Sequence, residues 1–88
     1  MKACNGFILR NIAGEYMLVP VGERMISFSG IMMLNELAGF VWEQLQNPIS
    51  QEELLKAILN EYDIDEATAS SDLSELLKKF KDFGVIED

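Results

Sequence analysis

The side chains able to do chemistry fall into a few groups. Carboxylates gather at Glu52-Glu53, at Glu61-Asp63-Asp65-Glu66 and at Glu87-Asp88. General acid–base catalysis needs two such groups in one cleft with their pKa values pushed apart. Here the acids stand where helix starts and a chain end would place them, so caps and solvated charge are the better reading. Calcium binding at positions 61–66 also fits poorly, because the stretch lacks the ligand spacing and central glycine of a calcium loop. The chain has no histidine and one cysteine, Cys4. Imidazole metal sites, Ser-His or Cys-His catalysis and an internal disulfide are therefore excluded within it. Cys4 lies near an N-terminus expected to fray. No residue set calls for a cofactor or a metal.

Charge narrows the partners. Seven Lys and Arg face fifteen Asp and Glu, for a formal net charge of −8. Phosphate backbones are held by cations that displace counterions, and anionic membranes attract basic segments. Neither nucleic acid nor a membrane is expected as a partner. No apolar run of roughly 18 residues is available to span a bilayer. Met1–Gly6 leads into no signal-peptide core. The expected location is the cytoplasm. At 88 residues, 49% hydrophobic and 25% charged, the chain reads as one folded domain, 1–88, with a modest core.

The elements that position these groups change character at Leu34-Asn35. Before it, Phe7–Ile12 and Glu15–Val21 read as strands around an Ala13-Gly14 turn, where glycine supplies the positive φ of a tight hairpin. Pro20 lacks an N–H, so pairing should fail on one side late in the second strand. Met25–Gly30 fits a loop with an extended portion, and Ile31–Leu34 a short third strand. Consecutive antiparallel strands tend to be neighbours, which puts the second strand in the middle and the third at an edge.

After Leu34 the pattern is helical. Asn35 caps a first helix over about 35–46, which ends before Asn47-Pro48. Ser50 and Glu53 form a capping box for a second helix that runs to about Tyr62, with Ile49 and Leu54 as its staple. Asp65 caps the third. Its core stripe is Ala69, Leu73, Leu76, Phe80 and Phe83, widened by Leu77. Gly84 ends it, with Val85 turned back onto Phe80, and Val85-Ile86 adds a short extended tail. Trp42 belongs to the core. The order predicts a small α+β domain of winged helix-turn-helix type, a three-stranded antiparallel sheet followed by three helices.

That architecture permits DNA binding, but a reader helix contacts bases with its N-terminal end. Here that end is Asp65-Glu66-Ala67-Thr68, acidic and small. The third strand offers another use. An apolar edge of Ile31, Met32, Met33 and Leu34 is either covered by a loop and buried as core, or serves as a template for another chain's backbone.

Leu34-Asn35-Glu36 with Gly39 and Trp42, preceded by Val19-Pro20-Val21-Gly22, resembles the PqqD-like family, proteins like the pyrroloquinoline-quinone biosynthesis protein D. So do Tyr62-Asp63-Ile64-Asp65, Asp72-Leu73, Leu76-Leu77, Phe80 and the closing Phe83-Gly84-Val85-Ile86. The resemblance covers nearly the whole chain. It implies a winged helix-turn-helix fold that does not bind DNA and a recognition element for ribosomally made, post-translationally modified peptides. It implies that the leader segment of a precursor peptide adds as a strand to Ile31–Leu34. The leader's side chains would lie against the third helix, and a modifying enzyme, often a radical SAM enzyme, would perform the chemistry. The domain itself is then not an enzyme. Carried onto this sequence, the peptide-binding residues are Ile31, Met32, Met33 and Leu34, with Ser70, Leu73, Ser74, Leu77 and Lys81 on the third helix. That flank is preferred to the one bearing Asp72 and Lys79, and Leu73 has an alternative place in the core. The other readings are a winged-helix transcriptional regulator or another protein–protein module. The protein is expected as a monomer or an edge-strand dimer.

Overall fold

In the computed structural model, which describes residues 1–28 and 30–88, a short strand β1 (Lys2–Ala3) leads into a hairpin of β2 (Phe7–Ile12) and β3 (Glu15–Pro20). Ala13 and Gly14 both have positive φ, 54° and 83°. Two left-handed residues give the turn the twist that adjacent antiparallel strands share. The strands pair from Phe7↔Pro20 to Ile12↔Glu15.

Met25–Gly30 departs from the expected loop. It enters as one helical turn, α1 (Arg24–Ser27), and Phe28 at its end is extended. Ser29, within the same stretch, lies outside the described residues. Arg24 anchors the turn: its Nε donates to the Asn5 carbonyl at 2.9 Å, and its guanidinium lies over the Phe7 ring at 5.3 Å. That contact joins positions too far apart in sequence for local pattern to reveal.

The third strand of the sheet, β4 (Met32–Leu34), starts one residue later than expected. It pairs with β3 through Leu18↔Met32, Met17↔Met33 and Tyr16↔Leu34. Pairing stops before Pro20, as its missing N–H requires. The order β2-β3-β4 puts β3 in the middle and β4 at an edge.

The three expected helices are α2 (Glu36–Gln44), α3 (Gln51–Glu61) and α4 (Glu66–Phe83). Each opens on its anticipated cap. Asn35 Oδ1 accepts from the Ala38 N–H at 2.8 Å, Ser50 Oγ from the Glu53 N–H at 3.1 Å, and Asp65 Oδ2 from the Thr68 N–H at 3.0 Å. Glu53 Oε1 accepts from the Ser50 N–H in return, at 3.1 Å. α4 closes at Gly84, whose φ is 74°. The Gly84 N–H donates to the Lys81 carbonyl and the Val85 N–H to the Phe80 carbonyl, at 3.0 and 3.1 Å, the two bonds of a Schellman ending.

The N-terminus, expected to fray, is tied into the fold by hydrogen bonds. Met1 and Ile49 exchange two hydrogen bonds of 2.9 Å, and β1 pairs with β5 (Ile86–Glu87). Cys4 is half-buried, and its N–H donates to the Val85 carbonyl. These partners sit at the far end of the chain or in the connection between α2 and α3, so the local sequence carries no trace of them.

The core stripe of α4 is also shifted. Its buried residues are Ala69, Leu73, Leu77 and Phe80. At roughly 100° per residue these four fall on one narrow arc. Leu76 and Phe83, expected in the stripe, stand at its margin: Leu76 is half-buried and Phe83 is 51% exposed. Trp42 is 2% exposed and lies in the core as expected.

Candidate functional site

Among the described residues, the sheet order leaves one edge of β4 without a strand partner. Side chains alternate across that strand. Leu34 is buried and Met32 half-buried on the helix side, whereas Ile31 and Met33 are exposed. Of the four candidate residues, Leu34 belongs to the core, and Ile31, Met32 and Met33 all border the first of the cavities beside the strand.

Beside β4 lie two cavities that share Lys79. The first, about 220 Å³, is lined by Pro20, Phe28, Met32, Phe83 and Val85 among others, and is mostly apolar. The second is lined by Asn35, Leu37, Asp72, Glu75, Leu76 and Asp82, with Lys78. Meeting at Lys79, they make a groove along α4 that is apolar opposite the start of β4 and charged opposite the Asn35 cap. Its apolar wall is tied to the core by stacked rings. Phe28 meets Phe7 edge-on at 4.9 Å, and Phe7 meets Trp42 at 6.3 Å. Phe28 is therefore held both by these rings and by its own turn, where its N–H donates to the Arg24 carbonyl at 2.9 Å.

The residues expected on α4 are placed elsewhere. Leu73 and Leu77 are buried, at 1% and 3% exposure. Ser74 Oγ accepts from Gln51 Nε2 of α3 at 3.2 Å, so that flank faces α3. Ser70 is half-buried and stands one helical turn from Ser74. Lys81 is exposed, with its Nζ 4.0 Å from Asp88 Oδ1 at the C-terminus. None of the five lines either cavity. The flank along the groove is the other one, with Asp72, Glu75, Leu76, Lys79 and Phe83. A signal for it exists in the sequence. Leu76 and Phe83 flank the buried arc on that side, and a two-residue apolar margin is more than the opposite side offers.

The acids away from the groove have structural duties. Hydrogen bonds from Ser50 hold the Glu53 carboxyl below its ordinary value, and those from Thr68 do the same for Asp65. Both are stabilised as anions at helix starts, the reverse of what a proton donor needs. Burial, and then the nearby Glu36 charge, raise the Tyr62 phenol, whose ring meets Phe40 edge-on at 5.5 Å. Among the described residues no three His, Cys, Asp or Glu side chains converge where an ion would sit. Among the described residues no helix is long and apolar enough to cross a membrane.

An edge strand beside a groove that is apolar at one end and charged at the other is a geometry for holding an extended chain. Comparison with known proteins agrees with the fold. The solved structure of TbiB1 in complex with the TbiA(beta) leader peptide superposes with a TM-score of 0.75 at 23% identity, covering 99% of this chain and 95% of that one. Lasso peptide synthetase B1 complexed with the leader peptide gives a TM-score of 0.73 at 16% identity, covering 99% and 96%. No curated protein is a significant sequence match. The family model for coenzyme PQQ synthesis protein D (PqqD) matches residues 8–86, and the chain belongs to that family.

Proposed function

We propose that this protein binds the leader segment of a ribosomally synthesised precursor peptide as an added strand on β4 and presents the remainder to a modifying enzyme. The observation that carries the reading is the edge of β4, unpaired among the described residues, beside the groove along α4. Strand addition lets main-chain hydrogen bonds supply affinity while alternate side chains supply specificity. One set of leader side chains enters the groove between Met32 and α4. The other lies beside the exposed Ile31 and Met33 at the rim of the same cavity. Membership of the PqqD family supports this role, as do two similar structures that each hold a leader peptide. On α4 the peptide-facing residues are Leu76, Lys79 and Phe83 in place of Ser70, Leu73, Ser74, Leu77 and Lys81. Leu73 and Leu77 act from behind, as core that sets the helix in place.

In this role the protein is a non-catalytic adaptor of the cytoplasm. It requires no cofactor, and the chemistry belongs to its partner, a radical SAM enzyme being one fitting class. The test is titration of the isotope-labelled protein with a synthetic leader peptide from a precursor encoded beside its gene. Amide shifts should concentrate at residues 31–34 and along Leu76–Phe83. Shifts confined to other surfaces rule out strand addition. A duplex DNA shift with steep salt dependence, and no leader binding, favours a regulator instead.

A further inference from the structure

The groove beside β4 is chemically uneven, and its two ends stand at a defined spacing. Near the start of β4 the walls are Phe28, Met32, Phe83 and Val85. Near the Asn35 cap they include Asp72, Glu75 and Leu76. Lys78 is 3.7 Å from Asp82, so those charges offset one another. Asp72 and Glu75 form no ion pair among the described residues. Both carboxylates thus remain available to a cation from outside.

Spacing follows from helix geometry. Glu75 precedes Phe83 by eight positions on α4, roughly 12 Å along the axis. An extended strand covers that distance in about four residues. Residues four apart on a strand share a face, so one added strand can serve both ends from its groove side.

We infer that the groove selects an extended peptide with a bulky apolar residue at the Phe28–Phe83 end and a Lys or Arg four positions away, beside Asp72 and Glu75. The inference rests on the strand-addition reading and adds the charge and spacing of the occupant. The stem of such a cation covers Leu76 while its head reaches the carboxylates. The net charge of −8 draws a basic segment in from a distance and repels an acidic one. Lys79, at the join of the cavities, disfavours a second cation at the intermediate position.

A phage-displayed library of random peptides, panned against the protein and against the Asp72→Lys, Glu75→Lys double variant, tests this. Both substitutions are at exposed positions, and circular dichroism checks that the variant is folded. Binders to the unmodified protein should be enriched in Lys or Arg four positions from a large apolar residue. Binders to the variant should carry Asp or Glu there. The best basic peptide should bind the variant about tenfold more weakly. Neutral or acidic residues at that position, or the same preference in both proteins, overturn the inference. Binders that shift the amides of residues 31–34 yet lack the cation sink the charge pairing and leave strand addition standing. Binders that leave those amides unshifted, or recovery of none, count against both.

Discussion

Trp42 of α2 and Phe80 of α4 meet edge to face, their ring centroids 5.8 Å apart and both side chains almost wholly buried. The pair links the two sides of the groove. α2 begins at the Asn35 cap directly after β4, so its position follows that of the strand. α4 is the opposite wall. Wherever Phe80 sits against Trp42, the groove has its width.

Phe80→Ala should therefore cost about 3–5 kcal/mol of stability, the usual range for emptying a buried aromatic site. Urea denaturation measures it. A loss below about 1 kcal/mol would mean that the contact does not hold α4 in place.

The flanks of α4 separate in binding. Phe83→Ala removes an apolar wall of the groove at a half-exposed site. It should weaken leader binding about fivefold or more with little change in stability. Ser74→Ala, on the side facing α3, should leave affinity unchanged. Calorimetric titration of both variants decides between the flanks, and the reverse pattern would restore the Ser70–Lys81 side.

Gly84→Ala isolates a backbone effect. An added Cβ would come no closer than 3.9 Å to Phe28 Cζ, so space is available. The φ of 74° remains, and a left-handed conformation costs an L-residue about 1 kcal/mol or more. Thermal unfolding should show that loss, and Gly84→Asn should lose less.

Acid should loosen two caps. Glu53 and Asp65 have folded pKa values below their ordinary 4.5 and 3.8. A depressed carboxyl binds its proton more readily in the unfolded chain, so its contribution is full above the ordinary value and is lost as pH falls through the folded one. Ser50→Ala should cost about 1 kcal/mol near neutral pH. The difference from the parent protein should shrink below the ordinary Glu53 value, as the Glu53 carboxylate is protonated and its bonds to Ser50 weaken. Denaturation curves at several acidic pH values would show this, and a constant difference would contradict it.

What was legible in the sequence was what local chemistry decides. Ala13-Gly14 marked the hairpin, and Asn35, Ser50, Asp65 and Gly84 marked helix ends, because each acts on backbone groups a few residues away. The edge position of β4 followed from strand order. The β1–β5 pairing and the Arg24 turn were not legible, since Met1 bonds to Ile49 and Arg24 to Asn5, contacts closed only by the whole fold. Which flank of α4 lines the cavities is hidden for a finer reason. Leu76 and Leu77 are adjacent and both apolar, and only the packing of Leu77 into the core turns Leu76 and Phe83 toward the groove.

The central claim is that the leader peptide becomes the strand next to β4. Nuclear Overhauser effects between the backbone protons of a bound leader peptide and those of Met32–Leu34 measure this directly. The account predicts a regular cross-strand series along those three residues. A peptide that binds tightly and shows no backbone contact with them would contradict it.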